Sequence, residues 1–237
     1  MITAAALCPW PPLLVRELTG ADPVLPELRN ACAAAVTGLL SAAPEAVTVV
    51  APGPVTAAWP GDGRLDVAAF GGLPAPSSAP ASAVSGICSL PPAAGIGAYL
   101  LDQAGYRGPR VIWTVSQDEP PAGCRKLGAE LAVTGQRTAL LVLGDGSARR
   151  GPKAPGAFDP RAAAFDAAVQ HAVAAADLDA LLAVDPALAR DLMATGRPAW
   201  QVLAGALGGT EPAATVRYAD DPFGVLYLVA SLVPAPH

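Results

Sequence analysis

The sequence predicts an α/β protein: a single three-layer α/β/α domain built on a central sheet that is mostly parallel but mixed. Three observations carry this prediction. The first fifty residues read as strand, helix, strand, and two later runs, 111–115 and 139–143, are apolar throughout at strand length. The last two strands are joined too tightly for a helical crossover, so they must pair antiparallel.

Residues 2–7 are an apolar run that stops at Cys8-Pro9-Trp10-Pro11-Pro12. Proline cannot donate to a sheet ladder, so this is a strand ending in a rigid loop. Across 25–40, Leu25, Leu28, Cys32, Val36, Leu39 and Leu40 recur at spacings of mostly three and four. That spacing puts them on one helical face, with Glu27 and Arg29 off it. Val47-Thr48-Val49-Val50 is a β-branched run closing on Pro52-Gly53-Pro54, which completes a βαβ unit. Segment 74–82, PAPSSAPAS, reads as an exposed excursion, since apolar elements resume on both sides of it.

VIWTV at 111–115 and ALLVL at 139–143 fit strands covered on both faces, with a helix-compatible stretch around 126–133 between them. Asp159-Pro160 opens an alanine-rich helix to Ala176, with aspartate as N-cap and proline at the first helical position. Asp185-Pro186 repeats the device, and Pro198 starts a helix through Leu207. Residues 215–218 and 225–233 form the closing strand pair around Asp220-Asp221-Pro222. There is no internal repeat, and one domain over 1–237 is expected.

Composition narrows the function classes. Hydrophobic residues make up 52% and charged residues 15%, which excludes disorder as the main state. Fifteen cations against twenty anions leave a net charge of −5, without the basic footprint of a nucleic-acid binder. The longest apolar stretch, 223–236, is too short to span a membrane and is flanked by Asp220 and Asp221. No Lys or Arg precedes the apolar N-terminal segment, and Pro9, Pro11 and Pro12 interrupt it. It is a poor signal peptide, so a cytoplasmic location is expected. Cys8, Cys32, Cys88 and Cys124 are scattered without a CxxC and read as free thiols in the packing.

In open α/β sheets, ligands collect beyond the carboxyl ends of the strands. Loops 8–12, 51–54 and 144–150 are such strand ends. The segments ALCPWPPLLV at 6–15, VVAPGP at 49–54, GDGSAR at 144–149, AWQVLAGAL at 199–207 and PFGVLYLVA at 222–230 follow one another over nearly the whole chain. Together they resemble the class III extradiol ring-cleavage dioxygenases, the LigB-like superfamily that includes the Memo proteins. The resemblance implies an α/β fold, an Fe(II) held by two histidines and a carboxylate, and a third histidine that moves protons.

This chain departs from that pattern at each chemical position. Trp10 stands where the resemblance places the first ligand histidine, Gly53 where it places the second, and Ala148 where it places the catalytic histidine. Before the late apolar helix, where the carboxylate ligand is implied, stand Met193, Ala194, Thr195 and Gly196. The count agrees: a facial triad needs two histidines and a carboxylate, and the chain has only His171, inside the alanine-rich helix, and His237, its last residue. Losing an acid/base group alone costs about 10²–10⁴ in rate, and losing the metal removes the reaction. The expectation is a homologue with no iron, no cofactor and no catechol cleavage, acting by binding or regulation. Its rivals are an enzyme of the same resemblance with an unrecognised metal site or a different reaction, and a partner subunit of a dioxygenase complex.

What remains is a pocket-like arrangement of Trp10, Gly53, Asp145, Ser147, Ala148 and Arg149. The Gly144–Gly146 turn offers backbone N–H groups to an anion, with Arg149, Arg150 and Lys153 close behind. The alternative is a solvated basic loop. Asp145 and Ser147 lack a neighbouring histidine to activate a serine, and Cys8 lacks a base. Trp10 either fills the volume of the lost site or offers a stacking surface. The expected partners are a small aromatic or anionic ligand and a second copy of the chain, with no nucleic acid and no membrane.

Overall fold

The computed structural model describes residues 1–20, 24–71, 88–133 and 135–235; the excursion expected at 74–82 and His237 lie outside them. The chain runs β1 (Ile2–Cys8), α1 (Arg16–Thr19), α2 (Pro26–Ser41), β2 (Ala46–Gly53), β3 (Ala57–Trp59) and β4 (Arg64–Leu65). It continues through β5 (Ser89–Leu90), α3 (Pro92–Gln103), β6 (Arg110–Ser116), α4 (Pro121–Ala132) and β7 (Thr138–Leu143). The last part holds α5 (Arg161–Ala174), α6 (Leu178–Leu182), α7 (Pro186–Asp191), α8 (Arg197–Leu207), β8 (Pro212–Asp220) and β9 (Tyr227–Pro234).

Seven strands form one sheet in the order β3-β6-β2-β7-β1-β9-β8. The central four, β6, β2, β7 and β1, are parallel; β3 and β9 run antiparallel to them, and β8, antiparallel to β9, points the same way as the central four. This is the three-layer α/β/α architecture with a mixed, mostly parallel sheet that the sequence predicts. Because side chains alternate across a strand, each continuous apolar run divides its residues between two cores. Ala5 and Leu7 of β1, Val50 of β2, and Leu140 and Val142 of β7 face the layer of α4 through α8. Ala4, Ala6, Cys8, Val47, Val49, Leu141 and Leu143 face α2 and α3.

The proline-led helices begin close to where the sequence places them. Asp185 Oδ1 accepts the Leu188 N–H at 2.6 Å and caps α7. Asp185→Ala is therefore expected to cost about 1 kcal/mol in urea unfolding; an unchanged midpoint would mean that this bond contributes nothing. The Asp159 device is shifted by one residue. Asp159 Oδ1 accepts the Arg161 N–H at 2.9 Å, α5 begins at Arg161 with Pro160 just outside it, and the helix stops at Ala174, not Ala176.

Helix α3 is the longest element the sequence does not announce, since Gly95 and Gly97 weaken its propensity. Packing explains them. A Cβ on Gly97 would come within 2.6 Å of Val49 and 2.8 Å of Leu143, so glycine lets this helix lie directly on β2 and β7. No helix among the described residues is long and apolar enough to cross a membrane. Cys8, Cys32, Cys88 and Cys124 are all free thiols, with Cys88 half-buried and the others buried.

Candidate functional site

The carboxyl ends of β1, β7 and β2 lie side by side, because Cys8 pairs with Leu143 and Val50 pairs with Val142. The next residues of each strand therefore share one rim: Pro9 and Trp10 after β1, Gly144 and Asp145 after β7, and Gly53 at the end of β2. Two contacts of Trp10 tie the end of β1 to the end of β7 and to the start of α8. The Trp10 backbone N–H donates to Asp145 Oδ1 at 2.9 Å, and the Trp10 indole Nε1–H donates to Thr195 Oγ1 at 3.0 Å. Thr195 lies just before α8; its hydroxyl also accepts the Asp145 N–H at 3.4 Å. Its carbonyl accepts Gln117 Nε2–H at 2.7 Å, which joins the end of β6 to the same rim.

Asp145 is the electrostatic centre of this group. It is half-buried, and burial pushes its carboxyl up to about 7, against a smaller downward pull from the Trp10 N–H. Cys32 from α2, beside Cys8, and Tyr227 from β9 feel its charge. The Cys32 thiol is pushed up mainly by its hydrogen bond with Cys8 and by burial, and the Tyr227 phenol mainly by burial. A carboxyl that titrates near neutrality at a strand end is a recognised mark of functional sites.

Gly53 shares the rim for a packing reason. A Cβ there would come within 2.5 Å of Thr114 Cβ, and Thr114 is itself fixed by bonds with Val55 O and Trp59 Nε1, both 2.8 Å. Ala148 is buried in the apolar cluster that also holds Cys8 and Tyr227. Ser147 faces away from the rim toward α5. Its N–H and Oγ–H both donate to Asp166, at 2.8 and 2.6 Å, and both residues are buried. Burial raises the Asp166 carboxyl, and those bonds from Ser147 oppose the rise.

The loop 144–150 differs from the sequence expectation of an open anion cradle. Six of its seven N–H groups are taken within the protein: besides Asp145 and Ser147, Gly144 donates to Cys8 O, Gly146 to Leu226 O, Ala148 to Leu192 O and Arg150 to Gly224 O. Arg150 pairs with Asp221 and stands 3.8 Å from Asp166. Arg149 stands 3.9 Å from Asp159, whose carboxyl the Arg161 guanidinium holds down at about 2. Two of the three clustered cations therefore face acids of the same chain. The reason is topological: the β8–β9 turn and α5 lie against the loop and bring Asp221 and Asp166 to it.

Gln117 and Arg197 are the site residues that sequence reasoning misses, and Thr195 it places only where the resemblance implies a carboxylate. Arg197 opens α8 yet is only 1% exposed. Its Nη1 donates to Glu119 O at 2.6 Å and Gln201 Oε1 at 3.1 Å, and its Nη2 donates to Gln117 O. It thereby clamps the β6–α4 turn that carries Gln117. An arginine at the first position of an apolar helix, followed by Pro198, was the available signal. His171 sits exposed near the C-terminal end of α5.

The iron that the family resemblance implies would need three donors converging on one face. At this rim the Trp10 ring nitrogen is committed as a hydrogen-bond donor, Gly53 is hemmed in by Thr114, and Asp145 is a lone carboxylate. Among the described residues, no three His, Cys, Asp or Glu side chains are grouped to hold a metal ion. The residues present do not fit the group.

Comparison with known proteins supports the architecture and stops there. No family model matches the sequence, and no curated protein matches it. Among solved structures, the chain is similar to the crystal structure of an uncharacterized protein, JW3007, from Escherichia coli K12. The TM-score is 0.58 at 15% identity, over 98% of this chain and 99% of that one, a likeness of fold alone.

Proposed function

We propose that this chain is a LigB-like domain that has lost the Fe(II) site and catechol cleavage, and that it acts by binding a small molecule at the carboxyl rim of its sheet. The observation that carries this reading is the state of Trp10. Both of its N–H groups are donors already engaged, to Asp145 and Thr195, at the position where the resemblance implies a metal-ligating histidine. An indole N–H has no lone pair to give a cation. The packing of Gly53 against Thr114 supports the same reading, because a side chain there would need Thr114 to move.

The binding role is supported by what the rim retains. A half-buried indole, a carboxyl titrating near neutrality and the Thr195–Gln117 pair form a small set of polar groups beside an aromatic surface. That combination suits a small aromatic ligand.

Anaerobic titration with Fe(II), followed by an oxygen-uptake assay with catechol, tests the loss of the iron site. The expected result is no stoichiometric iron after desalting and no ring cleavage above the rate of the free metal. One tightly bound iron per chain, with catechol-dependent oxygen uptake, would sink the reading.

A further inference from the structure

We propose that this rim takes a small organic cation, an ammonium group carried on an aromatic or apolar body, with Asp145 as its counter-charge and the Trp10 indole as its packing face. This rests on the binding reading above and specifies its ligand class.

The starting observation is an imbalance of charge. Several acids at this end of the sheet have arginine partners: Asp159 has Arg161 and Arg149, Asp166 and Asp221 share Arg150, and Asp118 has Arg190. Glu119 has no arginine, but its Oε2 accepts the Thr56 hydroxyl at 2.6 Å. Asp145 has neither an arginine nor a side-chain donor among the described residues. Its one hydrogen-bond partner among the described residues is the Trp10 backbone N–H, on Oδ1, so Oδ2 is left without a donor. The ionisable groups around it do not supply the missing charge. Cys32 from α2 and Tyr227 from β9 are held in their neutral forms, and Cys8 of β1 lies beside Cys32. Arg197, at the start of α8, turns its guanidinium to the carbonyls of Gln117 and Glu119.

A carboxylate in such a place is costly unless a cation joins it. A bound ammonium supplies both the charge and the donor that Oδ2 lacks. The Trp10 ring is anchored by its bond to Thr195 and remains half-buried, which gives the cation an aromatic neighbour already in position. An anion finds few free donors: the N–H groups of Gly144, Asp145, Gly146, Ser147, Ala148 and Arg150 are engaged, Arg150 is shared between two acids and Arg149 faces Asp159.

The preference has a proton linkage with a definite sign. A cation binds the ionised form of Asp145, so affinity must rise with pH through the titration of that carboxyl and level off above it.

Calorimetric titration of the full chain with benzylammonium, benzoate and benzyl alcohol tests the proposal. Benzylammonium is expected to bind at pH 8 and to weaken about tenfold or more at pH 5.5. Asp145→Asn should weaken it about tenfold or more at pH 8 and abolish the pH dependence, and Trp10→Leu should weaken it without abolishing that dependence. The pH series on the unaltered chain tests the claim even if a variant fails to fold. Benzoate or benzyl alcohol binding as tightly, in a Trp10-dependent way, would overturn the cation while leaving a binding site at the rim. No benzylammonium binding at millimolar concentration would overturn the cation outright. Stoichiometric iron, in the separate titration, overturns the binding reading itself.

Discussion

Arg197→Ala is expected to cost about 2–4 kcal/mol of folding stability, measured by urea denaturation. The side chain is 1% exposed and donates to Gln117 O, Glu119 O and Gln201 Oε1, so truncation leaves buried acceptors unsatisfied and opens a cavity between α4 and α8. Part of that loss is offset. The guanidinium is itself penalised by burial, which lowers its pKa, and its Nε has no partner among the described residues. The effect should reach the rim, since Gln117 carries the bond to the Thr195 carbonyl. Arg197→Lys cannot span all of these acceptors and should recover only part of the loss. A cost below about 1 kcal/mol would mean that the clamp is not what holds this turn.

Asp145→Asn is expected to stabilise the protein at pH 8 and to flatten its stability between pH 4 and pH 7. The folded carboxyl is pushed from 3.8 up to about 7. The folded state therefore holds this proton more tightly than the unfolded chain. The contribution is fully present below about pH 4, falls as the unfolded carboxyl ionises, and is lost once pH passes about 7. The size of the fall is on the order of 3 kcal/mol. Asparagine keeps an acceptor for the Trp10 N–H and removes the charge, so the difference between the two proteins isolates this group from Asp166, which burial also raises. Equal stability curves from pH 4 to 8 would show that Asp145 ionises freely in the folded state.

The elements legible in the sequence are those whose residues reveal their surroundings. β1, β2, β6 and β7 are apolar runs bounded by proline or glycine, and α2, α5, α7 and α8 carry an apolar face or an Asp-Pro start. Helix α3 and the short strands β3, β4 and β5 lack such marks. Gly97 makes α3 a poor helix by local preference, and only the approach of Val49 and Leu143 explains why a side chain is excluded there. At the rim, Trp10, Gly53 and Asp145 were legible as strand-end residues. Ser147 and Arg149 were legible as residue types, but not in their orientation toward Asp166 and Asp159.

The sequence by itself determined the layer architecture, because the period of apolar residues is a local property of each segment. It also placed Trp10, Gly53 and Ala148, none of which carries a metal-binding side chain, in the loops at the strand ends. Only the tertiary structure decided what the remaining groups do. The want of a cation beside Asp145, the double engagement of Trp10 and the clamp of Arg197 on Gln117 and Glu119 join residues 78 to 185 positions apart or turn on the absence of a neighbour. Burial and partnership are properties of the packed chain, and no pattern along the sequence encodes them.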